Sequence, residues 1–311
     1  MIEIDKLTRY FGAHRAVDIA DLHVEAGQVV VLLGRIGAGK STLLRLLAGY
    51  LMPSSGGARI AGVDLVRARV AAQRKLGYVP QAASFYDEMR VHDFLRFIAA
   101  LRGLRGMVRD RRIGEVGELL RLEAVMGESL GRLQPDSLWR VRLAQAILHE
   151  PPVLLLDEPG AGLDDRQRRE MLAILDAYAR SRSVLVCSRE PATALAGCDR
   201  VAVMHRGRLL ALATPAQLLA RSRYHGAVSF TAAHAAVARQ ALARVAGAST
   251  IETDPRSGRT TVFALPGAAI LDGVMHALAT LEVGYSEIQL ERGRLVDVLD
   301  GMVAKEEARV A

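Results

Sequence analysis

The sequence predicts an α/β fold in two parts. Three observations carry this expectation. Short apolar runs at residues 29–33 and 153–156 alternate with stretches of helical periodicity. A glycine-rich octapeptide, residues 34–41, lies between the first of these runs and a helix-like segment. At residues 223–226 the composition shifts, and a fresh pattern of strands and helices begins.

The elements follow in order. Ile2 and Ile4 alternate with acids, which reads as an edge strand. Residues 18–24 read as a second strand. Gly27 turns the chain into the run 29–33, short and apolar enough to be fully buried. Residues 41–48 read as a helix, 53–57 as a turn, and 77–81 as a short strand stopped by Pro80. From about 82 to 135 helical spacing takes over (Phe94, Leu95, Ile98, Leu101) and arginines multiply, which reads as a helical insert. A helix near 139–148, a buried strand at 153–156, a helix over 166–179 and a strand at 184–187 come next. Residues 201–204 and 209–213 form a hairpin around Arg206-Gly207, and Thr214-Pro215 opens a last helix. Residues 226–311 read strand, helix, strand, strand, helix, strand, helix, a small α+β domain without a catalytic constellation. The predicted domains are therefore 1–222 and 226–311.

A chain of 311 residues suits two domains. Half the residues are hydrophobic and 24% are charged, which excludes global disorder. The formal charge is +7, with four lysines and 37 arginines. Basic residues are scattered and aromatics are only 5%, so no nucleic-acid partner is expected. Two cysteines, Cys187 and Cys198, make neither a disulfide framework nor a zinc site and suit a reducing cytosol. The N-terminal stretch is charged and alternating, unlike a signal peptide. No run of about 18 apolar residues exists, so a membrane role is expected only through a partner.

Gly34-Arg35-Ile36-Gly37-Ala38-Gly39-Lys40-Ser41 fits GxxxxGK[ST] between a strand and a helix, the context that gives this pattern its meaning. Glycines let backbone N–H groups curl around phosphate oxygens, and the helix N-terminus favours negative charge. Residues 34–42, ending in Ser41 and Thr42, are the candidate nucleotide-binding set. Lys40 would reach the β and γ phosphates, and Ser41 would hold Mg²⁺. Asp157 and Glu158 end the buried strand at 153–156, where charge needs a partner such as a metal. Asp157 would bind Mg²⁺ largely through water, and Glu158 would orient and activate the attacking water. The core is thus predicted to be a P-loop ATPase.

These motifs, in this order, resemble the ATP-binding subunit of an ABC transporter over residues 1–222. GRIGAGKST is similar to that family's phosphate loop, and VLLLDEP to its metal and water strand. Residues 162–165 resemble the loop that contacts a second subunit. The resemblance implies that Gln81 senses Mg²⁺ and couples to the membrane partner. It also implies that Phe11 stacks on adenine. It further implies an antiparallel β subdomain and ATP with Mg²⁺ as cofactors. The implied partners are a second ATP-binding subunit and an integral-membrane permease. The implied function is ATP hydrolysis driving that permease, expected to be an exporter, from the cytoplasmic face of the inner membrane.

Three departures qualify this. The family's LSGGQ signature should precede RLAQAIL, but residues 133–137 are Leu-Gln-Pro-Asp-Ser. Gln134 replaces the serine, Pro135 has no N–H to donate, and Asp136 brings negative charge toward a polyanion. Arg189 stands where the family has a histidine, and it cannot shuttle a proton near neutral pH. Arg35 and Ile36 replace the usual Pro and Asn of the loop. A hydrolysis-deficient regulatory subunit paired with an intact cassette is therefore the alternative. Arg102, Arg105, Arg109, Arg111 and Arg112 read as a solvated helix face, and Trp139 as packing.

Overall fold

The computed structural model describes residues 1–81, 86–195, 197–232, 235–280 and 284–310. The chain divides into two compact units, Met1–Thr214 and Pro215–Ala311.

The first unit opens with β1 (Ile2–Phe11) and β2 (His14–Val24), then β3 (Val29–Leu33) and α1 (Lys40–Leu47). Next come β4 (Ser55–Ile60), β5 (Val63–Asp64), α2 (Arg69–Arg74) and β6 (Leu76–Val79). The helical insert supplies α3 (Val91–Leu101) and α4 (Gly106–Leu119). After it run α5 (Pro135–Ile147), β7 (Val153–Asp157), α6 (Asp165–Ala179), β8 (Ser183–Ser188) and α7 (Pro191–Leu195). A hairpin of β9 (Arg200–His205) and β10 (Arg208–Ala213) closes the unit. The start of the expected insert, residues 82–85, lies outside the described residues.

Two sheets organise this unit. One has the order β10-β9-β3-β8-β7-β6 and is parallel except where β10 pairs with β9. Every residue of β3, β7 and β8 is buried. That is why these strands read as continuous apolar runs rather than alternating ones. The other sheet, β2-β1-β4-β5, is antiparallel. Here β1 pairs on both sides, so the expectation of an edge strand is corrected. The alternation of Ile2 and Ile4 reports one buried face, since both are at most 1% exposed. Leu43, Leu44, Leu46 and Leu47 of α1 sit in one core between that face and Val30 and Leu32 of β3.

Two further expectations change. Helix α5 begins at Pro135, not near Trp139, because Gln134 is extended and proline's fixed φ suits the first helical position. Arg112 is not a solvated residue. Its guanidinium donates to the carbonyls of Leu148 at 3.0 Å and Ile147 at 3.2 Å, satisfying acceptors that the end of α5 leaves open. Arg111, 77% exposed, does match the solvated reading.

The second unit contains α8 (Pro215–Leu219), β11 (His225–Ala232), α9 (Ala235–Leu242), β12 (Ala248–Thr253) and β13 (Arg259–Ala264). It ends with α10 (Leu271–Thr280), β14 (Tyr285–Arg292) and α11 (Leu295–Val310). The antiparallel order β12-β13-β11-β14 is that of a split βαββαβ unit. Val228, Phe230 and Val262 of the sheet form its core with Leu242, Val274 and Leu278 of the helices. The unit begins ahead of the composition shift at 223–226. Polar bonds tie the preceding turn inward: Ser222 Oγ donates to Asp297 Oδ2 at 2.8 Å and accepts from the Arg294 amide at 3.1 Å. No helix among the described residues is long and apolar enough to cross a membrane.

Candidate functional site

The loop between β3 and α1 is shaped by glycine at two positions. A Cβ on Gly34 would lie 2.4 Å from the Met204 carbonyl oxygen, inside any tolerable contact. Gly39 has φ +98°, and a Cβ there would lie 2.4 Å from the Ala16 carbonyl oxygen. Lys40, the first residue of α1, is 6% exposed. Its Nζ donates to the carbonyls of Gly34 at 2.7 Å and Arg35 at 3.3 Å, so the ammonium lies across its own loop. Burial pushes the Lys40 pKa down, and the carboxylate of Glu158 opposes that shift.

The end of β7 meets this loop. Ser41 Oγ donates to Asp157 Oδ1 at 3.1 Å across 116 residues of sequence. Asp157 is 2% exposed, and burial raises its pKa while the Ser41 bond and Lys40 resist. Glu158 follows in a left-handed conformation, φ 51°, unusual for a residue with a side chain. Its amide donates to the Cys187 carbonyl at 3.0 Å, which turns its side chain toward the loop. Glu158 Oε1 lies 3.8 Å from Lys40 Nζ and 3.2 Å from Arg189 Nε. Burial again raises the pKa, against Lys40 and the Arg189 amide.

Phe11, Gln81, Lys40, Ser41, Glu158 and Arg189 line one open cleft of about 390 Å³, together with Ile36, Gly37, Ala38, Gly39 and Thr42. Gly34 and Arg35 contribute through their carbonyls to Lys40, and Asp157 through Ser41. One face of the Phe11 ring is covered by the Arg9 guanidinium, 4.7 Å from the centroid. His14 and Ala16 also line the cleft. Sequence reading missed both, although they share one face of β2 by its period of two.

Residues 133–137 lead into α5. Gln134 is the extended cap and Pro135 the first helical residue, so one N–H of the helix start is absent. Asp136 is not a free charge. It accepts from Trp139 Nε1 at 3.3 Å and from Arg140 Nε at 3.4 Å. Arg140, 6% exposed, also reaches Glu170 at 3.1 Å and the Leu120 carbonyl at 3.2 Å. Trp139 is 6% exposed and packs as expected. At the start of α6, Asp164 and Gln167 form a reciprocal capping box that fixes the preceding loop.

A half-buried hydroxyl and a buried carboxylate 3.1 Å apart supply oxygen donors, which fit a hard cation such as Mg²⁺. The lysine-bridged glycine loop at a helix N-terminus fits phosphate. Fold and site together define a nucleotide-binding cassette of the P-loop class. The ABC transporter family matches residues 17–161. The chain is 34% identical over 222 residues to the "Probable multidrug ABC transporter ATP-binding protein YbhF" of Escherichia coli K12, covering 71% of this chain and 38% of that protein. It is 34% identical over 209 residues to the "Uncharacterized ABC transporter ATP-binding protein YxlF" of Bacillus subtilis, covering 67% and 69%. A solved ATP-binding subunit of an ABC transporter superposes with TM-score 0.64 at 27% identity, covering 70% of this chain and 91% of that one. The chain belongs to the ABC transporter ATP-binding proteins.

Proposed function

We propose that this chain binds MgATP in the cleft around Lys40, dimerises around the nucleotide and hydrolyses it to power a separate membrane permease. The observation that carries the reading is the convergence of Lys40 and Ser41 from the start of α1 with Asp157 and Glu158 from the end of β7. Backbone N–H groups and Lys40 hold the β and γ phosphates. Ser41 and Asp157, with Gln81 on the cleft wall, hold Mg²⁺, which supplies charge neutralisation at the phosphates. Phe11 offers its open ring face to adenine. Glu158 orients water. The water oxygen bonds to the γ-phosphorus, the bond to the bridging oxygen of ADP breaks, and Glu158 holds the released proton.

Export is the direction we propose; YbhF is named for multidrug transport, while sulfate/thiosulfate import ATP-binding proteins are as similar at 34% identity. The chain would sit on the cytoplasmic face of the inner membrane, held there by the permease. A second reading is favoured by the helix start at Gln134-Pro135-Asp136, which lacks a donor and carries an acid. It makes the chain a weakly hydrolysing subunit whose full activity needs a partner cassette with an intact signature. Binding and turnover of wild type and Glu158→Gln test the proposal. Glu158→Gln should keep ATP affinity and lose hydrolysis. Loss of both, or of neither, would overturn the assignment of Glu158.

A further inference from the structure

The segment after β8 is held on two sides. Ser188 Oγ accepts from the Glu190 amide at 3.1 Å and donates to Thr193 Oγ1 at 3.1 Å, which folds the chain into a tight turn. In that turn Arg189 grips Glu158 twice. Its amide donates to Oε2 at 3.2 Å, and its Nε lies 3.2 Å from Oε1. With Lys40 Nζ also near Oε1, both carboxylate oxygens face fixed donors. Glu158 is 9% exposed and Arg189 44%, so the guanidinium is the more solvent-exposed partner of the pair.

The next residue is pinned from the other direction. Glu190 Oε2 pairs with the Arg168 guanidinium at 2.8 Å. Arg168 also donates to the Leu163 carbonyl at 3.1 Å and pairs with Asp165 at 2.8 Å. Arg168 is only 13% exposed, so its geometry is set by packing as well as by charge. One arginine thus joins the loop after β7 to the turn that holds Glu158.

We propose that Arg189 is a positioning residue that latches Glu158 away from the attacking water, and that the Arg168–Glu190 pair sets the latch from the loop at residues 160–165. This rests on the assignment of Glu158 made above. An oriented water must donate to a carboxylate oxygen, and here the Arg189 amide, the Arg189 guanidinium and Lys40 compete for those acceptor sites and hold the carboxylate in one orientation. Restraint of the loop keeps Glu190, and hence the Arg189 backbone, in place. Displacement of the loop, as a second subunit docking on it would cause, loosens the grip.

The test uses the full chain in two backgrounds, wild type and the variant Gln134→Ser/Pro135→Gly/Asp136→Gly. In each, Arg189→Ala, Arg189→Lys, Glu190→Gln and the double variant Arg189→Ala/Glu190→Gln are compared. Equilibrium binding of ATP under chelator, thermal melting and steady-state kcat and KM are measured. Arg189→Ala should raise kcat at least fivefold, with KM and ATP affinity within twofold and melting unchanged. Arg189→Lys should stay low, because the ammonium and the backbone amide still hold Glu158. Glu190→Gln should raise kcat less, and the double variant should not exceed Arg189→Ala alone, since both act through one contact. A fall in kcat, additive effects, or no turnover in any variant that binds ATP would overturn the latch. Failure of wild type and all variants to bind ATP would overturn it together with the nucleotide site, and is recognised as such by the binding measurement.

Discussion

Asp136 and Arg140, one helical turn apart on α5, form an ion pair with Nε 3.4 Å from Oδ2, and Arg140 is almost fully buried. The acid that departs from the family signature is therefore built into the packing of its own helix. Arg140 shares its charge with Glu170 on α6 at 3.1 Å. Asp136 is one-third exposed, so the pairing with Arg140 leaves part of the carboxylate open to solvent. Repulsion of phosphate there is reduced by Arg140, while Pro135 itself has no N–H to offer. The loss of a donor, more than added charge, is what this segment brings to a dimer.

That distinction leads to the first prediction. Gln134→Ser, Pro135→Gly and Asp136→Gly with Arg189→His should raise steady-state ATPase by about an order of magnitude or more. Loss of one preorganised donor costs about 2.7–4 kcal/mol in a well-studied hydrolase. Phosphate release by purified protein is the measurement. Pro135→Gly alone should account for more of the gain than Asp136→Gly alone. Equal or reversed gains would show that Asp136 charge dominates.

Lys40→Ala should cut ATP affinity sharply in equilibrium binding. The ammonium lies across the loop, bonded to the Gly34 carbonyl at 2.7 Å, so its removal takes away the phosphate charge partner and a donor that holds the loop. Unchanged affinity would remove the phosphate-loop assignment.

The first unit should stand alone. Cutting after Thr214 removes the second unit, which has its own core around Phe230 and Val262. The remaining 1–214 should melt cooperatively and bind ATP as the full chain does. An insoluble product, or one without a cooperative transition, would show that the two units depend on each other.

Stability should fall with acid through His149. Its Nε2 donates to the Leu76 carbonyl at 3.1 Å, and its Nδ1 is buried without a hydrogen-bond partner among the described residues. Burial, then the nearby Arg102, lowers its pKa from 6.5 to about 4. The unfolded chain takes up the proton near pH 6.5 while the folded chain refuses it until about pH 4. This contribution is complete above pH 6.5 and is lost as pH falls from 6.5 toward 4. Its size is up to about 3 kcal/mol. Melting curves of wild type and His149→Gln across that range should differ in slope, the variant being flatter. Parallel slopes would contradict the burial argument.

Much of this was legible in the residues. The apolar runs at 29–33 and 153–156 are buried strands because both faces of their sheet are covered, one of them by α1 and the antiparallel sheet. The order of elements in residues 226–311 follows the sequence reading because each change of period marks a change of element. Other features were not legible, for reasons that local pattern cannot reach. Pairing of β1 on both sides depends on β4, which is far away in sequence (Ile2 pairs with Ile60). Arg112 looked solvated because its acceptors, Ile147 and Leu148, belong to another helix.

The sequence by itself determined the chemistry that can occur: a lysine and a serine at a helix start, two acids at a strand end, glycines where only glycine fits. These are local demands of phosphate, cation and backbone, and they leave a fixed spacing. Only the tertiary structure decided what holds each charge when the chain is folded. Glu190 turns to Arg168, and Glu158 to Arg189. These partnerships join α6, β8 and the end of β7. A charge takes whichever partner the fold places within a few ångströms, and for residues far apart in sequence that proximity follows from packing, not from order along the chain.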